Sequence, residues 1–156
     1  MKLTLVVVGQ RLPAWADAAC SDYLGRFPAD WRVTLKAVKA EPRTQGLSVE
    51  ALKSAEAKRI DAACPKGARR VTLDERGVRL TTAQLAERLQ SWQHDAREVA
   101  LLMGGPDGLD DRLKQGADEA IRLSDLTLPH ALARVLLAEA LYRGWSVLAG
   151  HPYHRE

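Results

Sequence analysis

Cysteine is scarce. Two thiols in 156 residues, far apart at Cys20 and Cys64, support neither a disulfide framework nor a CxxC metal knuckle, so reduced, buried or half-buried thiols are expected. Long apolar runs are missing too. Stretches such as "LTLVVV" near the start are too short to span a bilayer. The N-terminal apolar stretch ends at Gly9 and Gln10 without a cleavage-like site, so no signal-peptide layout is present and a cytoplasmic location is expected. The phosphate cradles GxxxxGK[ST] and GxGxxG are absent, as is the GxSxG elbow of many hydrolases. No internal repeat or low-complexity segment stands out. Charge of one sign is also modest. Lys and Arg number 23 against 20 Asp and Glu, a net +3, which suits a nucleic-acid partner without requiring one.

What is present reads as one domain over residues 1–156, 46% hydrophobic and 28% charged, long enough to bury a real core. "MKLTLVVVG" is a β-branched run closed by glycine, a buried strand. Pro13 to Arg26 follows as a helix whose inner face is predicted from Trp15, Ala18, Ala19 and Tyr23. In "WRVTLKAV", Trp31, Val33, Leu35 and Ala37 alternate with polar residues, a half-buried strand. "KAEPRTQGLS" is rich in turn formers and is the segment expected to be most mobile. Ser48 caps a helix to about Ala63 that "CPKG" stops, "RRVTLDERG" is a strand with a turn, and Thr81 with Gln84 forms a capping box for a helix through about Gln93. "EVALLMGGPDG" is a strand running into a glycine loop. A short polar helix from about Asp110, a strand-like "AIRLSDLTL" and a long helix from His130 to about Leu148 complete the chain. Strands alternating with helices at this spacing predict an α/β fold with a mostly parallel sheet.

The last helix is apolar around most of its circumference, with Leu132, Val135, Leu136, Leu137, Leu141, Tyr142, Trp145, Val147 and Leu148. Its formal charges are Arg134, Glu139 and Arg143. Such a helix is either a central core element or a face pressed against a second subunit. Glu139 and Arg143, four apart with the acid first, can simply pair along the helix. Beyond it the chain closes on "HPYHRE", where two of its four histidines crowd with a tyrosine, an arginine and a carboxylate.

Ligands of open α/β sheets bind beyond the carboxyl ends of the strands. Three segments arrive there: "TLDERG", "LMGGPDG" and "LSDLTLPH". Gly104 and Gly105 allow close backbone approach, and Gly108 can take a positive φ, although a strand-to-helix turn needs glycines for structural reasons as well. With no lysine or arginine inside the loop, a ligand is expected to rest on backbone amides and apolar walls. That suits a nucleoside with an uncharged or cationic tail. Ser124 and Thr127 among leucines offer hydroxyls on an apolar wall, whereas His130, just after Pro129, reads as a structural or surface histidine. His151 and His154 lack the further ligands zinc needs, so no metal is expected. Tyrosine and histidine in "YHRE" can stack on a base, arginine can grip a phosphate, and histidine can exchange a proton near neutral pH.

"VVVG", "LLMGGPDG", "RLSDLTLPHALARVLLAEALYR" and the terminal "HPYHRE", in this order and at this spacing, resemble the RlmH family, the SPOUT-class pseudouridine N3-methyltransferases of the large ribosomal subunit. The resemblance covers the whole chain. One departure is Gln10-Arg11 after Gly9, where many members carry a lysine. The resemblance implies a doubly wound, mostly parallel α/β sheet with a C-terminal deep trefoil knot, and S-adenosylmethionine held bent within the knotted region. It places the cofactor on Leu73, Gly104, Gly105, Leu123, Ser124, Asp125, Leu126, Thr127 and Leu128. It further implies a homodimer in which the tail helps to build the active site across the interface, and a substrate that is 23S rRNA within the ribosome.

The implied reaction moves a methyl group to N3 of a pseudouridine, a nitrogen that must lose its proton to become a good nucleophile. Positioning and general-base help supply the rate. His154 is the first candidate for the base and Glu139 the second. Arg143 and Arg155 would steady phosphate or the developing charge, and Tyr153 lies between them in the motif. Two other readings are a ribosome-associated RNA-binding protein that has kept the fold without catalysis and an enzyme of small molecules using another nucleotide. An excess of three positive charges is small for tight binding to naked RNA, so an extended ribosomal surface is expected to contribute.

Overall fold

The computed structural model describes residues 1–44 and 46–155. Glu156, the last residue of the terminal motif, lies outside the described residues, as does Gln45 in the loop expected to be mobile. The elements are β1 (Lys2–Val8), α1 (Ala14–Gly25), β2 (Arg32–Val38), α2 (Val49–Ala63), β3 (Arg69–Arg79), α3 (Thr82–Asp95), β4 (Val99–Met103), α4 (Asp111–Gln115), β5 (Glu119–Arg122) and α5 (His130–Ala149), followed by a 3-10 turn at Pro152–Arg155. The five strands form one sheet in the order β2-β1-β4-β3-β5, every neighbouring pair parallel.

Alternate side chains of each central strand feed opposite layers. Leu3, Leu5 and Val7 of β1 and Val99, Leu101 and Met103 of β4 pack with Leu85, Leu89 and Trp92 of α3 and Leu137 and Leu141 of α5. Val6, Val8, Ala100 and Leu102 face the other way, against Ala57 and Ile60 of α2 and Leu113 of α4. A parallel strand covered on both faces needs an unbroken apolar run, which is what "LVVV" and "VALLM" supply. The sheet is therefore doubly wound. No helix among the described residues is long and apolar enough to cross a membrane.

Local signals set the helix starts. Ser48 Oγ accepts from the Ala51 amide at 3.2 Å, and Thr81 and Gln84 form the reciprocal capping box, with amide-to-side-chain distances of 2.8 and 3.1 Å. The strand at residues 69–79 contains an irregularity between Leu73 and Val78 rather than a reversing turn, and it rejoins β5 at Val78 opposite Ile121. Gly77 is required there, because a Cβ would lie 2.4 Å from the Ile121 carbonyl carbon.

Two expectations change. The inner face of α1 is Ala16 and Cys20, whereas Trp15 is 56% exposed and Ala18 lies outward. Small side chains let α1 sit close to the sheet, and an indole there would hold it off. The strand-like "AIRLSDLTL" ends at Arg122. Beyond it Ser124 Oγ accepts from the Leu126 amide at 2.9 Å, a local turn that takes the backbone out of the ladder. The loop after β2 is fastened through Arg43, whose guanidinium meets the buried Glu56 at 2.5 Å and Asp107 at 3.1 Å. One face of the last helix is core: α5 packs beside both α1 and α3, with Leu137, Ala138, Leu141 and Tyr142 buried.

Candidate active site

At the carboxyl ends of β3, β4 and β5 the chain leaves a cavity of about 270 Å³, close to the lower end of the roughly 300–1,000 Å³ usual for small-molecule sites. Leu73, Asp74 and Glu75, at the irregularity of β3, stand at its rim, Met103 ends β4, residues 122–128 form the facing wall, and Ala133 of α5 lies behind. The wall is stiffened from within. Arg122 donates to Asp125 at 3.1 Å and to the Gly77 carbonyl at 3.3 Å, and Arg79 meets Asp125 at 2.7 Å. The Arg122 guanidinium is thus already engaged, and on the rim Asp74 pairs with Lys114 at 3.5 Å while Glu75 stands exposed, so the cavity suits an uncharged or cationic ligand better than a polyphosphate.

Leu73 and the whole 123–128 stretch line this cavity, with Leu126 76% exposed at its edge. Gly104 and Gly105 are not among its lining residues. They follow Met103 directly, but their loop folds back on itself, with the Gly108 amide donating to the Gly105 carbonyl at 3.0 Å. A Cβ on Gly104 would lie 2.4 Å from the Gly108 carbonyl carbon, and one on Gly105 would lie 3.1 Å from Val8 Cγ1 and 3.3 Å from Glu56 Oε1. Both glycines serve the closeness of their own loop to its surroundings.

A second cavity of about 210 Å³ shares Arg122 and Leu123 with the first and is lined further by Thr81, Thr82, Glu139 and Arg143. Here the structure gathers three of the five residues singled out for chemistry. Arg143 Nε donates to Glu139 Oε1 at 2.8 Å, and the Tyr153 hydroxyl meets the same oxygen at 2.9 Å. The Arg143 guanidinium stands 4.9 Å over the Tyr153 ring, a cation–π distance. Tyr153 also hydrogen-bonds the Tyr23 hydroxyl of α1 at 3.1 Å. Burial first, and then these bonds to Tyr23 and Glu139, push its phenol well above the ordinary tyrosine range. The tail reaches this place because Gly150 takes φ 68° and turns the chain, after which the His151 amide donates to the Ser146 carbonyl at 2.9 Å.

The remaining two lie apart from that knot of contacts. His154 is half-buried, and its Nδ1 is buried without a hydrogen-bond partner among the described residues. Arg155 is exposed. Tyr23 could not be found from the motif, since 130 residues separate it from Tyr153 and only the fold brings them together. Among the described residues no group of three or more His, Cys, Asp or Glu is placed to hold a metal.

His130 is half-buried at the start of α5, its Nε2 2.9 Å from Arg134 Nη2. Since arginine only donates, Nε2 is the acceptor and the ring is neutral. Burial, reinforced by the Arg134 charge, holds its pKa below the ordinary 6.5. An unfolded chain therefore takes up this proton before the native one does, so stability is full above pH 6.5 and is lost as pH falls through the window beneath it. Urea midpoints measured from pH 7.5 down to about 5 should fall for the native sequence and fall less for His130→Gln.

The family profile described as "Predicted SPOUT methyltransferase" matches residues 1–154. The chain belongs to this SPOUT family of methyltransferases. It is 78% identical over its full length to all of a Methylibium petroleiphilum protein named ribosomal RNA large subunit methyltransferase H, and 69% identical, again with both chains fully covered, to the Leptothrix cholodnii protein of that name. A solved structure of a probable methylase family protein from Haemophilus influenzae superposes with a TM-score of 0.55 at 13% identity, covering 97% of this chain and 69% of that one; it shares the fold. A SPOUT methyltransferase needs a methyl donor, and the paired cavities are the candidate places for donor and acceptor.

Proposed function

We propose that this protein transfers a methyl group from S-adenosylmethionine to N3 of a pseudouridine in 23S rRNA of the assembled ribosome, acting in the cytoplasm as a homodimer. One observation carries the reading: an apolar, acid-rimmed cavity shares the Arg122–Leu123 wall with a second cavity that presents Glu139 and Arg143. The names of the full-length relatives support ribosomal RNA as the substrate. The C-terminal part would form a deep trefoil knot, as the SPOUT family implies.

The first cavity's chemistry fits the proposed donor. Its leucines can flank an adenine, its backbone groups can bond the ring edge, and Glu75 favours a cation. Bound there, S-adenosylmethionine supplies a methyl group activated on a positively charged sulfur. The chain's own residues do the rest. His154 takes the N3 proton, Arg143 and Arg155 hold the charge left on the base, and Tyr153 with Glu139 fixes the Arg143 side chain.

The dimer reading draws on α1 and α5, which lie side by side and carry Trp15, 56% exposed, and Leu132, 37% exposed. Within one chain, Tyr153 sits beside Glu139 on the middle of α5, while the first cavity touches that helix near its start at Ala133. A separation of six residues corresponds to about 9 Å of helix. A partner's tail would approach that cavity more directly.

The reading is tested with ribosomes lacking this modification and methyl-labelled S-adenosylmethionine. Full-length chain should place label in 23S rRNA, and a chain truncated after Gly150 should bind the donor without doing so. Label with both would remove the tail from the site. No label with either, despite normal donor binding, would show that the substrate is a different one.

A further inference from the structure

A cavity of about 850 Å³ lies away from both cavities described above, between α1 and the edge strand β2. Leu24 of α1 and Leu35 of β2 give it apolar walls, Ser21 stands at its side, and Arg134 of α5 lines it from within. Arg134 is 1% exposed. Its Nη2 donates to the carbonyls of Val8 and Gly9 at 3.3 and 2.9 Å and lies 2.9 Å from His130 Nε2. All three of these acceptors are neutral. Its Nε has no hydrogen-bond partner among the described residues, and no carboxylate among them lies within ion-pair distance.

A guanidinium stays protonated even here, so the fold carries a buried cation it does not neutralise. Cys20 beside it does not supply the missing charge, because burial raises its thiol pKa. Asp17 lines the cavity and acts on Arg134 through space without bonding it; with Arg11 also in the lining, the three formal charges leave one positive charge. An unpaired donor buried at such a place is costly unless something bonds it. An acceptor bearing negative charge would compensate it, and the Arg134 side chain lines the cavity.

We propose that this cavity binds an oxyanion carrying an apolar body, its head on Arg134 Nε and its body between Leu24 and Leu35. The depth of Arg134 restricts the ligand to a slim molecule or a terminal group, since a duplex or a folded surface cannot reach it. The site is separate from the methyl-transfer cavities and does not depend on which RNA is modified.

The test follows the Nε–H resonance of Arg134 in the ¹⁵N-labelled full-length protein. Phenyl phosphate and benzoate are titrated at constant ionic strength against chloride, with inorganic phosphate as the head group alone. The resonance should shift saturably with an aromatic oxyanion, at a Kd about tenfold below that for inorganic phosphate. Saturation by phenyl phosphate alone assigns a phosphate monoester, and by benzoate alone a carboxylate. In Ser21→Trp, whose indole fills the cavity from the exposed side of α1 without replacing Arg134, the shift should disappear. No saturable shift up to about 10 mM, or an unchanged one in Ser21→Trp, overturns the proposal.

Discussion

His154→Ala is expected to slow methylation by roughly 10²–10⁴-fold, the usual worth of a general base, with donor binding and melting temperature unchanged. His154 of the tail and Glu139 of α5 are the two candidate proton acceptors, and their surroundings separate them. Glu139 Oε1 already accepts from Arg143 at 2.8 Å and from Tyr153 at 2.9 Å, so this oxygen is occupied in holding the site together. His154 Nδ1 has no such partner among the described residues and is shielded from solvent. A half-buried ring makes few packing contacts whose loss would unfold the chain, which is why rate and stability should part company. The decisive comparison is single-turnover methylation of unmodified ribosomes at saturating donor. A wild-type rate in His154→Ala would transfer the base role elsewhere in the site. Loss of rate with an equal loss of melting temperature would make His154 structural.

Gly104→Ala should cost about 3 kcal/mol or more, the range of severe steric insertions into packed structure, and should weaken donor binding with it. The added Cβ would sit 2.4 Å from the Gly108 carbonyl carbon and 2.6 Å from the Leu109 nitrogen. Those are backbone atoms and cannot rotate aside, so the loop between β4 and α4 must open. Leu109, 3% exposed, would be drawn from the layer it shares with Val8 and Leu102, and Met103 would lose its place at the cavity. Gly144→Ala is the internal comparison. Its Cβ would meet the Leu89 Cδ1 at 2.7 Å, the end of a side chain that can change rotamer, so its cost should be clearly smaller. Chemical denaturation of both variants checks the order. Equal midpoints would mean that the glycine loop yields as easily as a leucine.

Much of this fold was legible because its signals are local. Caps at Ser48 and Thr81, the β-branched run of β1, the apolar run of β4 and the alternation of β2 each depend on residues within a few positions of one another, and they agree with the structure. The inner face of α1 was misread because Trp15 is the most apolar candidate by size, whereas the sheet accepts only Ala16 and Cys20. "LSDLTL" read as a continuation of the strand, but Ser124 and Asp125 close local bonds that compete with a ladder. In the candidate site, the cavity wall at Leu73 and residues 123–128 emerged from the family resemblance. Its acidic rim at Asp74 and Glu75 did not, nor did the pairing of Tyr153 with Tyr23 or the isolation of Arg134. Those depend on contacts between distant segments, such as the 126 residues from Val8 to Arg134.

The strand order also bears on the sequence of events in biosynthesis. β1 and β2 are made first and can pair at once, but β3 emerges with no strand made before it as a neighbour. Both its partners, β4 and β5, are still to come, and β4 is the piece that joins the two halves. A nascent chain arrested before Val99 therefore holds a two-stranded ribbon and a solitary strand, each with bare apolar faces. Only when Val99–Met103 has left the ribosome can the sheet become continuous, so translation itself keeps the central strand for late delivery and leaves the early segments dependent on shelter until then.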